Sequence, residues 1–186
     1  IGTISAVAQA AHQIALSCAA FTFMVSMGLA QAGSIRVSNA FGSSNWPKIS
    51  RIGRSTLVTA LCYGIFCAVL FSLLRNQLPH FFNKNEAVIS LAATLLLFAA
   101  LFQISDSTQA IGAGLLRGIK DVKTPTILIA IAYWAIGLPL GYILAFKFDM
   151  GAPGMWIGLI AGLSFASVFL ILRFLRKAKG VISKKF

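Results

Sequence analysis

The stretch Asn85–Arg117, NEAVISLAATLLLFAALFQISDSTQAIGAGLLR, limits what this chain can fold into more than any other. Ala87–Phe102 is a continuous apolar run, interrupted only by Ser90 and Thr94. A helix needs about 20 mostly apolar residues to cross a bilayer. Here the run passes through a polar patch before it reaches that length. Gln103, Ser105, Asp106, Ser107, Thr108 and Gln109 crowd together, and apolar character resumes at Ala110. At about 1.5 Å of rise per residue, Asp106 lies about 16 Å from Arg117. That is close to the middle of a hydrocarbon core about 30 Å thick. A carboxylate at such depth costs roughly 2.5–3.5 kcal/mol on insertion scales and is by default a functional candidate.

Composition supports the same class. The chain is 58% hydrophobic and 11% charged, whereas soluble domains average about 45–50% apolar and about 25% charged. In lipid every backbone polar group must be satisfied within its own segment or a closed barrel. The long unbroken runs lack the ten-residue alternation of barrel strands. The expected fold class is therefore all-α, a polytopic transmembrane helix bundle.

The net charge of +12 would suggest nucleic acid on a soluble protein. Here the basic residues sit in loops and at the C-terminus, so no nucleic-acid partner is expected; the lipid bilayer is. Cys18, Cys62 and Cys67 lack C-x-x-C spacing and read as small buried hydrophobes. No P-loop, metal-spaced His/Cys set or Ser/His/Asp arrangement is visible, and no enzyme activity or bound cofactor is expected. The chain begins at Ile1 with no signal-peptide pattern, which reads as a piece of something longer.

Five spans are expected, at about 6–32, 51–74, 86–117, 126–146 and 153–175, all within one lobe covering 1–186. The first carries Gln9, His12, Gln13, Ser17, Thr22, Ser26 and Gln31, the composition of a helix facing other helices or a wet cavity. His12, near its outer end, reads as a hydrogen-bonded interfacial residue more than as a proton relay. The second follows a loop, 33–50, with Trp46-Pro47 as interfacial anchor and helix start. The fourth starts after Thr124-Pro125 and contains Pro139, which removes a backbone donor and is expected to bend the helix as a hinge. Tyr133 and Trp134 precede it and read either as ordinary bundle packing or as walls of a substrate cavity, where aromatic faces attract organic cations. Residues 176–186 form a basic tail expected on the membrane surface.

The flanking Lys and Arg set the orientation. Thirteen lie in the first and third connections and the C-terminal flank; Arg75, Lys84 and Lys147 lie on the other side. Arg117, Lys120 and Lys123 read as topology determinants. The C-terminus is thus expected in the cytoplasm and the N-terminus outside, which suggests that a preceding span is missing. Gly154, Gly158, Gly162 and Ala166, with Gly137/Gly141 and Gly114/Gly118, form small-residue seams for close helix packing.

Gln103, Asp106 and Gln109 are three apart and form a slanted polar strip. Asp106 is expected to bind a cation, a proton, or each in alternation, with Gln103 and Gln109 as helpers. Its oxygens, with neighbouring Gln and Ser oxygens, suit Na⁺ as a hard cation. The plainer alternative is a buried packing residue tied to a neighbouring hydroxyl.

The segments AAHQIALSCAAFTFMVSMGLAQAGSIRVSNAFG, LLLFAALFQISDSTQAIGAGLLRGIKDVKTP, YWAIGLPLGYIL and GAPGMWIGLIAGL resemble the multidrug and toxic compound extrusion (MATE) transporters, specifically the C-terminal half of their NorM-like branch. The block FQ-x-x-D-x-x-Q-x-x-x-x-G-x-LRG-x-KD is the most specific part. The resemblance implies a twelve-helix protein of two lobes, with these spans as helices eight to twelve. It implies alternating access and export of amphiphilic, often cationic compounds in exchange for Na⁺ or H⁺, in a bacterial inner membrane. Asp106 matches the tenth-helix aspartate implicated in cation coupling. The acidic partner on helix seven would fall in an N-terminal lobe, expected on the same polypeptide. The rival readings are a flippase for lipid-linked oligosaccharide, which needs intramembrane cations, and an inactive structural half.

Overall fold

The computed structural model describes residues 5–183, all helix and short connections. The chain makes five long, apolar helices, each long enough to cross a membrane, so it is a multi-pass membrane protein. The first, α1, runs Ala6–Gly42, and Ser5 caps it by accepting from the Ala8 amide at 3.0 Å. It continues ten residues past the expected end at Ala32. The polar-looking segment after it, GSIRVSNAFG, is a helix with Gly33, Ser34, Val37 and Ala40 on the buried side. Packing decides this. Gly118 sits so close to Ser34 that a Cβ there would lie 2.7 Å from the Ser34 carbonyl oxygen.

Helix α2 spans Trp46–Leu74, capped by Asn45, whose side chain accepts from the Lys48 amide at 3.1 Å. It starts five residues before the expected Arg51. A short 3₁₀ turn, Leu78–Phe81, leads to α3, Glu86–Gly118, where the Asn85 side chain accepts from the Ala87 amide. Helix α4 occupies Lys123–Lys147. It is not uniform: wide π-turns at Ala132–Gly137 and Ile143–Lys147 bracket an α-helical Leu138–Tyr142. Helix α5 spans Gly151–Ser183. Arg176, Lys177 and Lys179, expected at the start of a surface tail, instead continue this helix; Lys184 and Lys185 lie outside the described residues.

Helix α3 is the centre of the bundle, packed on α1, α2 and α5. Two apolar clusters grip it. Ala11, Ala15, Phe71 and Trp156 pack around Leu95 and Leu96 near its start. Val37, Ile49, Leu170 and Phe174 pack around Leu115 and Leu116 near its end. The polar run 103–109 lies between the two clusters. Outward faces carry Phe21, Met24, Phe66, Leu73 and Leu101, all exposed, as suits surfaces solvated by lipid.

The small-residue seams are used as expected. Gly114 faces the Ala30 carbonyl, where a Cβ would lie at 2.7 Å. Gly154, Gly158 and Gly162 of α5 face the backbone of α4 at Ala145, Gly141 and Ala132. Of the three cysteines, Cys67 is buried, Cys18 half-buried and Cys62 exposed. The expectation of burial thus fails at Cys62, because α2 is a peripheral helix with one face outward.

Candidate functional site

The central position of α3 explains why its polar residues are tolerated: Gln103, Asp106, Ser107, Thr108 and Gln109 are all buried. The hydroxyls in and beside this run are all tied down. The Ser107 and Ser26 hydroxyls are 2.8 Å apart, joining α3 to α1. Ser105 and Ser164 are likewise 2.8 Å apart, joining α3 to α5. The Thr108 hydroxyl donates back to the Ile104 carbonyl at 2.8 Å. Such bonds satisfy hydroxyls where no water is at hand, and hold three helices at a fixed rotation.

Asp106 is different. Its side chain is 7% exposed and borders an open recess of about 200 Å³. Leu16, Ala19, Ala20 and Phe23 of α1 form most of the wall, with Phe102 of α3 one turn away. The small Ala19 and Ala20 leave the room. The two ion pairs among the described residues both belong to Asp121, so neither neutralises Asp106. A buried mid-span carboxylate on an apolar recess, with no ion-pair partner among the described residues, is by default a functional-site candidate.

Gln103 and Asp106 share one side of α3 but not one environment. Gln103 is fully buried, and neither its amide nitrogen nor its oxygen has a hydrogen-bond partner. Gln109 is also buried, without lining the Asp106 recess. Tyr133 of α4 is half-buried and does not line the Asp106 recess. Trp134 turns away and is 75% exposed. Pro139 lies in the α-helical piece between the two π-turns.

Several polar contacts were not foreseen. The Tyr63 hydroxyl donates to the Thr22 carbonyl at 2.8 Å, joining α2 to α1. His12 meets Trp156 edge-on, with ring centroids 5.8 Å apart, and Trp156 meets Phe102 at 5.5 Å. Nδ1 of His12 and Nε1 of Trp156 are buried without partners. His12 is thus half-buried against Trp156 of α5, and its Nδ1 makes no hydrogen bond. Its position in an otherwise small-residue stretch was the only sequence signal.

At the far end, Asp121 in the α3–α4 connection is buried. Its Oδ2 takes Nε of Arg173 at 2.7 Å and Nζ of Lys177 at 2.8 Å. Burial works to raise its pKa, but the hydrogen bonds from Arg173 and Lys177 and their charges win, holding it below the usual carboxylate value.

The MatE family model matches residues 1–143 of this chain. The chain belongs to the MatE family. It is 42% identical, over 186 residues, to a probable multidrug resistance protein NorM of Mesorhizobium japonicum, covering 95% of this chain and 39% of the relative. It is 39% identical to a probable multidrug resistance protein NorM of Brucella suis, covering 95% of this chain and 38% of the relative. The chain thus spans about two fifths of the length of these relatives. The fold agrees with that of the eukaryotic MATE transporter AtDTX14, with a TM-score of 0.86 at 22% identity over 97% of this chain and 41% of that one. A multidrug resistance MATE transporter in an inward-facing conformation gives a TM-score of 0.82 at 17% identity, over 91% and 39%.

Proposed function

We propose that this MatE chain is the C-terminal lobe of a secondary active transporter, a Na⁺- or H⁺-coupled antiporter that exports amphiphilic or cationic compounds. The single observation that carries the coupling role is Asp106: a buried mid-span carboxylate that borders an open recess and has no fixed cation. Its family and its NorM relatives, named as probable multidrug resistance proteins, support drug efflux.

The mechanism is linkage. A proton or Na⁺ on Asp106 stabilises one arrangement of the helices over another, and substrate binding biases the same equilibrium. Only a difference in affinity between the two states can shift it. Tyr133, half-buried on α4, supplies an aromatic wall to the substrate cavity. Gln103 and Gln109 then act through α3, and Pro139 with its flanking π-turns is the flexible element. The Lys and Arg distribution supports a cytoplasmic C-terminus, and the bacterial NorM relatives support an inner-membrane location.

The test is Asp106→Asn in the intact protein, reconstituted in vesicles with an imposed Na⁺ or pH gradient. Gradient-driven efflux of a cationic dye is expected to vanish while the protein stays folded; undiminished efflux removes the coupling role. The rival flippase reading needs cations in the cavity, and no Lys or Arg lines the Asp106 recess.

A further inference from the structure

Helices α4 and α5 leave a groove of about 310 Å³ at the end of the bundle that holds the α3–α4 connection. Its two halves differ in chemistry. Leu128 of α4 and Phe169 and Leu172 of α5 form an apolar floor on the outward face, with Phe169 and Leu172 exposed. Arg173, Arg176 and Lys177 rim it at the next turn of α5. Phe169, Leu172, Arg173 and Arg176 follow the i, i+3, i+4, i+7 spacing of one helix face. The apolar part therefore runs directly into the cationic part along the membrane normal.

The rim is built rather than incidental. Asp121 is buried and holds both Arg173 and Lys177 through one oxygen. Nη2 of Arg173 donates to the Thr124 hydroxyl at 2.9 Å. These contacts fix the two cations while leaving Nη1 of Arg173 and the other Lys177 protons without an ion-pair partner among the described residues. Arg176 takes part in no ion pair among the described residues. Two cations thus share one carboxylate, and a third, Arg176, lines the groove beside them. The chain has four acidic residues; Glu86 opens α3 and Asp149 lies in the α4–α5 connection, both at the opposite end, and Asp106 is in mid-span. None of them can neutralise this rim.

We infer that this groove is a binding site for an anionic phospholipid. The phosphate lies against Arg173, Arg176 and Lys177, and an acyl chain lies along Leu128, Phe169 and Leu172. Basic pockets between transmembrane helices at the level of the headgroups take anionic lipid by this chemistry, and guanidinium forks match phosphate oxygens. The site rests on the membrane placement of the chain alone, not on ion coupling at Asp106, so the two stand or fall separately.

The experiment is native mass spectrometry of the intact protein in mixed micelles, with phosphatidylglycerol and phosphatidylcholine in competition. The wild-type protein is expected to retain phosphatidylglycerol preferentially. Arg176→Gln is expected to lower that preference about fivefold and Arg176→Gln with Lys177→Gln about 25-fold, from roughly 1 kcal/mol per basic side chain near an anionic headgroup. Lys84→Gln, at the opposite end, is expected to change nothing. Equal retention of the two lipids by the wild-type protein, or an undiminished preference in both variants, overturns the site. Glycerol phosphate that displaces the lipid at equal concentration makes it a soluble-phosphate site and overturns the lipid assignment. Arg176 is exposed and outside the Asp121 ion pairs, so its single substitution carries the test even if loss of Lys177 lowers stability.

Discussion

A glutamine amide offers two donors and an acceptor, and at Gln103 all of them are buried without a partner. Each unmet polar group costs about 1–3 kcal/mol. Gln103→Leu is therefore expected to raise thermal stability, by about 1–3 kcal/mol, and to weaken ion-driven efflux; a variant that is stabilised and transports normally would make Gln103 a packing residue. Asp121 gives a pH prediction of definite sign. Its folded pKa is depressed, so it adds stability at neutral pH that is lost as pH falls from the unfolded value of about 3.9 through the folded one. Asp121→Asn is expected to cost about 1–2 kcal/mol at neutral pH, since its partners are partly exposed and screened. Melting curves of the variant should lack that acid-dependent loss. Asp106 was legible because it is the one acidic residue inside an apolar run. The role of Asp121 was not, because Arg173 is 52 residues away in sequence and only the fold brings them together.

Among the elements, the α4–α5 seam shows how backbone contact replaces side-chain interlock. A Cβ on Gly158 would press into the backbone of Gly141 and Gly137, and backbone cannot rotate aside. Gly158→Ala is expected to cost about 1–3 kcal/mol, as overpacked sites do. Gly28, within α1, has only open space within 4 Å of where a Cβ would sit, and Gly28→Ala is expected to gain about 0.5–1 kcal/mol. Opposite signs in one thermal-shift assay check the pair. The seams were legible from spacing alone, because small residues every four positions can only share a face. The helix ends were not. The segment after Ala32 reads as loop by its Gly, Ser and Asn content, yet burial of Ser34 and Val37 against Gly118 outweighs that local preference. Nor does spacing announce the π-turns on both sides of Pro139, a rare geometry frequent at functional positions. Pro139→Ala is expected to slow dye efflux while leaving dye affinity unchanged; equal loss of both would argue against a hinge.

At the scale of the whole molecule, five spans and four connections make a topology that charge alone should orient. The α1–α2 and α3–α4 connections lie beside Arg36, Lys48, Arg51, Arg54, Arg117, Lys120 and Lys123, whereas the other two lie beside Arg75, Lys84 and Lys147. The electrostatic bias acts during insertion and counts Lys and Arg near span ends, not net charge. It therefore predicts a strict alternation. With Cys18, Cys62 and Cys67 replaced, single cysteines at Asn83 and Asp149 are expected to react with a membrane-impermeant thiol reagent added outside intact cells. Cysteines at Ser44 and Lys120 are expected to react only after the membrane is opened. A fifth position, Ala20→Cys on the wall of the Asp106 recess, joins topology to mechanism. If the recess opens to water in one state of the transporter, its labelling should change when the ion gradient is collapsed, while the four connection sites stay constant. Constant labelling at Ala20 alongside a correct topology would leave the fold in place and remove the gradient-dependent access that coupling at Asp106 requires.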